Sequence, residues 1–141
     1  MDAETLEVDT AALYAVLAAE DERISALEAR VAADPELAPD DLLPDCRASV
    51  EALLRAYAAA EGKALPDGDD LLAVQKAFVK GEPSLNAVRD NVRELIYYQN
   101  CLAEGRRDAL PTRAGRMAVR TVRHIYFYLR SRAEQQWGAP A

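Results

Sequence analysis

Histidine is almost missing from this chain: His124 is the only one in 141 residues. A di-metal carboxylate centre in a helical protein needs two Glu-x-x-His pairs, and none is present. Cysteine is scarce as well. Cys46 and Cys101 form no CxxC pair and no Cys/His cluster, so they read as reduced thiols, with no disulfide framework. Strand-favouring runs of Val, Ile, Thr and aromatics are nearly absent, which argues against sheet. No window reaches about eighteen uninterrupted apolar residues, so no transmembrane helix and no membrane partner are expected. The N-terminus, MDAETLEVD, lacks a basic-then-apolar leader. A cytoplasmic protein is the expectation.

Catalytic patterns are missing too. The six glycines are mostly helix punctuation and form no phosphate-binding loop. Asp67-Gly68-Asp69-Asp70 has the composition of a calcium loop without its ligand spacing or terminal glutamate. Ser/His/Asp and Cys/His systems have no recognisable arrangement. No catalytic residue, metal or cofactor is assigned.

What remains is an alanine-rich, helically periodic chain. Half its residues are hydrophobic, enough for one domain with a core. The fold class expected is all-α: an antiparallel bundle of four long helices and one short one, over residues 10–137. Residues 1–9 and 138–141 are read as flexible ends. The first helix starts at a cap on Asp9 or Thr10 and buries Leu13, Val16, Leu17, Ile24, Leu27 and Val31. Asp34-Pro35 stops it. Asp40 or Asp41 caps the second, which buries Leu42, Cys46, Val50, Leu53, Leu54 and Tyr57 and ends at Gly62. Asp69 caps a short third helix, with Leu71, Val74 and Phe78 inside. Ser84 caps the fourth, over 85–104. Its face of Leu85, Val88, Val92, Leu95, Ile96 and Leu102 turns inward, while Tyr97 and Cys101 fall on its polar side. Thr112 caps the last helix.

Charge is distributed unevenly. Residues 1–105 hold 9 basic and 22 acidic residues, whereas residues 106–141 hold 8 arginines and 2 acids. Arginine keeps its charge and offers a planar fork of donors to carboxylates and phosphates. The last segment is therefore built to meet anions.

At ~100° per residue, Ala118, Val119, Val122, Ile125, Tyr126, Leu129 and Ala133 form the inner face of the last helix. Arg116, Arg120, Arg123 and Arg130 gather opposite, with Arg113 nearby and Phe127 among them. A solvated helix face is commonly this basic, but such a face has no use for Phe127. Arginines around an aromatic suit a protein partner or a second copy of the chain. They also suit RNA or single-stranded DNA, with phosphates on arginines and bases on the ring. The acidic loops at 34–45 and 67–70 are a third, internal destination for these charges.

Three polar residues sit on apolar stripes: Glu20, Gln99 and, at the edge, His124. In a bundle the three can meet as a buried polar layer that fixes register or oligomer state, or Glu20 can reach solvent at a helix edge. The same three would be the centre of any small helical enzyme. The leading expectation is a non-enzymatic interaction or assembly protein that acts through Arg113, Arg116, Arg120, Arg123, Phe127 and Arg130. A nucleic-acid-binding subunit using the same residues is the rival.

Overall fold

The computed structural model describes residues 3–139, with side chains from residue 10 onward. It is all-α, with five helices: α1 (Ala3–Ala33), α2 (Leu43–Glu61), α3 (Leu71–Val79), α4 (Asn86–Ala103) and α5 (Ala114–Trp137). Single 3₁₀ turns at Pro39–Asp41, Pro83–Leu85 and Arg107–Ala109 lead into α2, α4 and the loop before α5. No described helix is long and apolar enough to cross a membrane.

Helix α5 touches α1, α2 and α4, so its apolar face is covered from several sides. Cross-links along its length give the directions. Arg113 near its start bonds Glu36 just past the end of α1, and Gly138 at its end accepts from Tyr14, so α1 and α5 run antiparallel. Thr121 donates to Glu94, and Tyr128 and Arg132 reach Ser84, so α4 and α5 are antiparallel as well. Tyr57 on α2 donates to Gln136 at 3.1 Å, and Leu42 lies beside Gly115, so α2 runs parallel to α5. Short α3 packs on α4 and α2.

The stripes predicted for the core are largely where the side chains go. Leu13, Leu17, Ile24, Leu27 and Val31 of α1 are buried, as are Leu42, Cys46, Val50, Leu53, Leu54 and Tyr57 around α2. Every inner-face residue predicted for α5 is buried. Tyr57 and Phe78 meet edge to face, 6.1 Å apart, an arrangement that complements the ring quadrupoles.

Several starts and one face differ from expectation. Helix α1 begins at Ala3, ahead of Asp9 and Thr10. The side chains of residues 1–9 and all of residues 140–141 lie outside what is described. Val16 is only half-buried. Neither Asp40 nor Asp41 caps α2, because both sit in the 3₁₀ turn before it. Asp70, not Asp69, caps α3, accepting from the Leu72 and Ala73 amides. Ser84 is not a cap: its hydroxyl accepts from Arg132 and its carbonyl from Tyr128. Thr112 gives way to Arg113, which enters α5 in the left-handed region with no side-chain cap. On α4, Tyr98 and Cys101 are buried while Ile96 and Leu102 are only half-buried. Cys101 therefore faces inward, not onto the polar side, because α4 is covered by both α3 and α5.

The turn into α5 is tight. A Cβ on Gly115 would stand 2.7 Å from a Leu42 methyl and 3.0 Å from the Leu37 carbonyl oxygen. Leu42 is fully buried and cannot swing away into solvent. Gly115→Ala is expected to destabilise the fold by about 1–3 kcal/mol, the usual cost of overpacking. Urea unfolding with no loss of midpoint would refute this reading of the α5 entry.

At the opposite end of α5, Arg132 pairs with Glu82 at 3.2 Å, and Glu82 also takes Lys63. Glu61 nearby has a buried Oε1 with no hydrogen-bond partner. Burial, then the Glu82 charge, pushes the Glu61 carboxyl above its ordinary value of 4.5, against the pull of Lys63 and Arg132. A raised folded-state pKa favours the neutral form in the folded protein. That advantage is complete below the unfolded pKa and is lost as pH rises through the folded value. At neutral pH the Glu61 charge is therefore a liability. Glu61→Gln is expected to raise Tm at pH 7, with the gain shrinking to nothing below about pH 4. An equal gain at both pH values would mean that the charge is not the cause.

Candidate functional site

The six residues proposed for partner binding all belong to α5 or its entry, and the structure divides them. Arg123 is turned into the protein, its side chain only 11% exposed. One guanidinium nitrogen lies 2.7 Å from Asp21 Oδ1. The other donates to Glu28 Oε1 at 2.8 Å and to Ser25 Oγ at 3.1 Å, and Nε reaches Glu28 Oε2 at 3.3 Å. The same guanidinium lies 5.1 Å from the Tyr126 ring centroid and 5.4 Å from that of Phe127. The Glu28 bond, with help from Asp21, raises its pKa against desolvation. Arg123 is thus a clamp between α5 and α1. It belongs to the fold and is not free for a partner.

Arg113 bonds Glu36 at 3.0 Å, and Arg130 bonds Glu134 of its own helix at 3.2 Å. Beyond the expected set, Arg106 approaches Glu104, Arg107 pairs with Asp40, and Arg132 pairs with Glu82. Six of the eight arginines after residue 105 thus have carboxylate partners. The loop at 34–45 supplies two of these partners, while the loop at 67–70 supplies none. Arg116 and Arg120 are the two with no ion pair among the described residues, and both are exposed.

Those two arginines stand one helical turn apart beside an open cleft of about 800 Å³ between α5 and the last turns of α1. Val31 and Val119 form its floor and are buried. Ala32, Pro35, His124 and Phe127 form its exposed lip. Phe127 is 51% exposed. The helix phase read from the sequence therefore holds at this position: a large aromatic faces solvent within the arginine face. Met117, 39% exposed, lies on the same outer side of α5 and carried no signal in the sequence reading. Tyr97 on α4, 48% exposed, is the remaining large hydrophobic with comparable exposure among the described residues.

The polar layer of Glu20, Gln99 and His124 does not assemble. Glu20 is buried on α1, with Arg23 Nε 3.3 Å away as an ion pair, but in a geometry that leaves Glu20 Oε1 without a hydrogen bond. Gln99 of α4 accepts from Arg47 of α2 at 3.1 Å. His124 is exposed, on the lip of the α1–α5 cleft. An exposed histidine does not complete a buried layer with Glu20 and Gln99. Among the described residues, no group of three or more His, Cys, Asp or Glu side chains is placed to hold a metal ion.

No family model, curated protein or solved structure matches the chain.

The division of the arginines can be measured. Arg123→Ala leaves Asp21 and Glu28 without their cation at a partly buried seam, and is expected to cost about 1–2 kcal/mol. Arg123→Lys should recover only part of this, since a point charge cannot span three acceptors as the planar fork does. Arg116→Ala and Arg120→Ala are expected to stay within about 0.5 kcal/mol of the parent, as exposed unpaired positions do. Equal losses at all three positions in urea unfolding would erase the distinction between clamp and free arginines.

Proposed function

We propose that this protein is a non-enzymatic protein-interaction module and that it binds through the outer face of α5. The observation that carries this reading is the pairing of a half-exposed Phe127 with Arg116 and Arg120, the two arginines left without carboxylates among the described residues. Aromatic and arginine side chains are the usual anchors of protein interfaces. The local energetics support it. Arg113 and Arg116 lie at the start of α5, whose first turn has no acidic residue. Positive charge there opposes the helix dipole, and Arg116 and Arg120 repel each other across one turn. Arg113 is met by Glu36, but Arg116 and Arg120 have no ion pair among the described residues, and an arriving carboxylate would relieve both. The surrounding protein carries a net charge of −7, which disfavours long polyanions more than a compact acidic protein surface.

Photo-crosslinking tests this directly. A benzophenone amino acid at position 127 is expected to give discrete protein adducts in the native cells. The same probe at Ala59, exposed on α2, should give few. Adducts of equal abundance at both positions, or adducts only to nucleic acid, would overturn the proposal. An adduct with a second copy of the chain would identify the partner as the chain itself.

A further inference from the structure

We infer that the occupant of the α1–α5 cleft is an acidic amphipathic helix of a partner protein, with two carboxylates four residues apart and an apolar side chain on the same face. This rests on the interaction reading above and makes it specific. Two packed antiparallel helices leave a groove on each side of their seam. On one side α2 fills it, in contact with both α1 and α5. On the other side lies the open cleft. Its floor, Val31 and Val119, continues the core, and its lip adds Ala32, Pro35 and Phe127. A helix laid in such a groove buries its apolar stripe much as α2 does on the far side.

Volume agrees with this. A cleft of about 800 Å³ accommodates roughly two turns of a helix about 10 Å across with a 5.4 Å pitch. Charge sets the sequence of the occupant. Arg116 and Arg120 present two guanidinium forks one turn apart, a spacing of about 6 Å that residues i and i+4 of an opposing helix reproduce. Arg123 adds no demand, because its donors are already taken by Asp21, Ser25 and Glu28. Glu28 lies at the edge of the cleft with its charge met by Arg123. A basic occupant would find no unpaired carboxylate among the lining residues, and an acidic one finds two unpaired cations. Phe127, exposed on the lip, is the apolar anchor.

Selection from a phage library of randomised 16-residue peptides on the purified full chain tests this. Enriched peptides are expected to carry Asp or Glu at i and i+4 with Leu, Phe or Met on the same face. Their affinity should fall at least tenfold on the Arg116→Glu/Arg120→Glu double variant and on Phe127→Asp. A proline placed mid-peptide should cause a similar loss, as it breaks a helix. Circular dichroism melting of each variant separates lost binding from lost folding. Enrichment of basic, proline-tolerant or extended peptides that still need Phe127 would overturn the helix inference and leave the interaction face standing. No enrichment, or peptides indifferent to Phe127 and both arginines, would overturn both. Tighter binding of a 20-nucleotide single-stranded RNA at about 50 mM salt, lost in the double variant, would replace the peptide with nucleic acid. Concentration-dependent dimers that vanish in Phe127→Asp would replace it with a second copy.

Discussion

The Arg123 clamp is the interaction on which the rest of the surface depends. One guanidinium gathers Asp21, Ser25 and Glu28 from two turns of α1 and lies against Tyr126 and Phe127 on its own helix. Such a group is stable in a partly buried seam only when its donors are met together, because removing either side leaves an uncompensated charge. The clamp fixes the distance between α1 and α5 midway along their length. Gly115 fixes it at one end, where only a missing side chain lets α5 meet the 37–42 segment. Tyr14, bonded to Gly138, ties the other end. The cleft opens along α5 from Arg116 to Phe127, so its shape follows from these points.

The clamp also explains how so uneven a charge distribution makes a stable domain. The acidic body and the basic end are largely neutralised pair by pair: Arg107 on Asp40, Arg113 on Glu36, Arg123 on Asp21 and Glu28, Arg132 on Glu82. Most of these pairs are exposed and contribute little individually. Their collective effect is to remove arginines from the surface available to others. A helix that reads as a broad basic face becomes a surface with two bare arginines and one bare aromatic.

What depends on local periodicity is legible in the sequence. The apolar stripes of α1, α2 and α5 repeat at the helical period, and nearly every residue assigned to them is buried. Phe127 was placed correctly for the same reason, since position along α5 fixes its direction. Caps were less legible, because tertiary contacts chose among rival residues: Arg132 and Tyr128 claimed Ser84, and the approach at Gly115 moved the start of α5 past Thr112. Cys101 was misread because cover from both α3 and α5 widens the buried arc of α4. His124 stands at a stripe edge, where a rotation of one position decides between core and solvent. The partner of Arg123 was illegible in principle: its carboxylates lie about a hundred residues away, and only packing brings them together.

Arg116 and Arg120 stand where the folding of this chain alone gives them no partner among the described residues. Exposed helix positions tolerate most substitutions, and glutamate would suit position 116 better by the helix dipole and either position better by pairing with its arginine neighbours. The chain is rich in glutamate elsewhere and uses carboxylates freely on α1. Local rules are broken most often where a sequence serves something beyond its own folding. Here the two breaches coincide in space with an apolar floor and an exposed ring. Each feature alone is ordinary on a protein surface. Their coincidence at an unfilled groove between two clamped helices is what supports the proposal that another chain binds there.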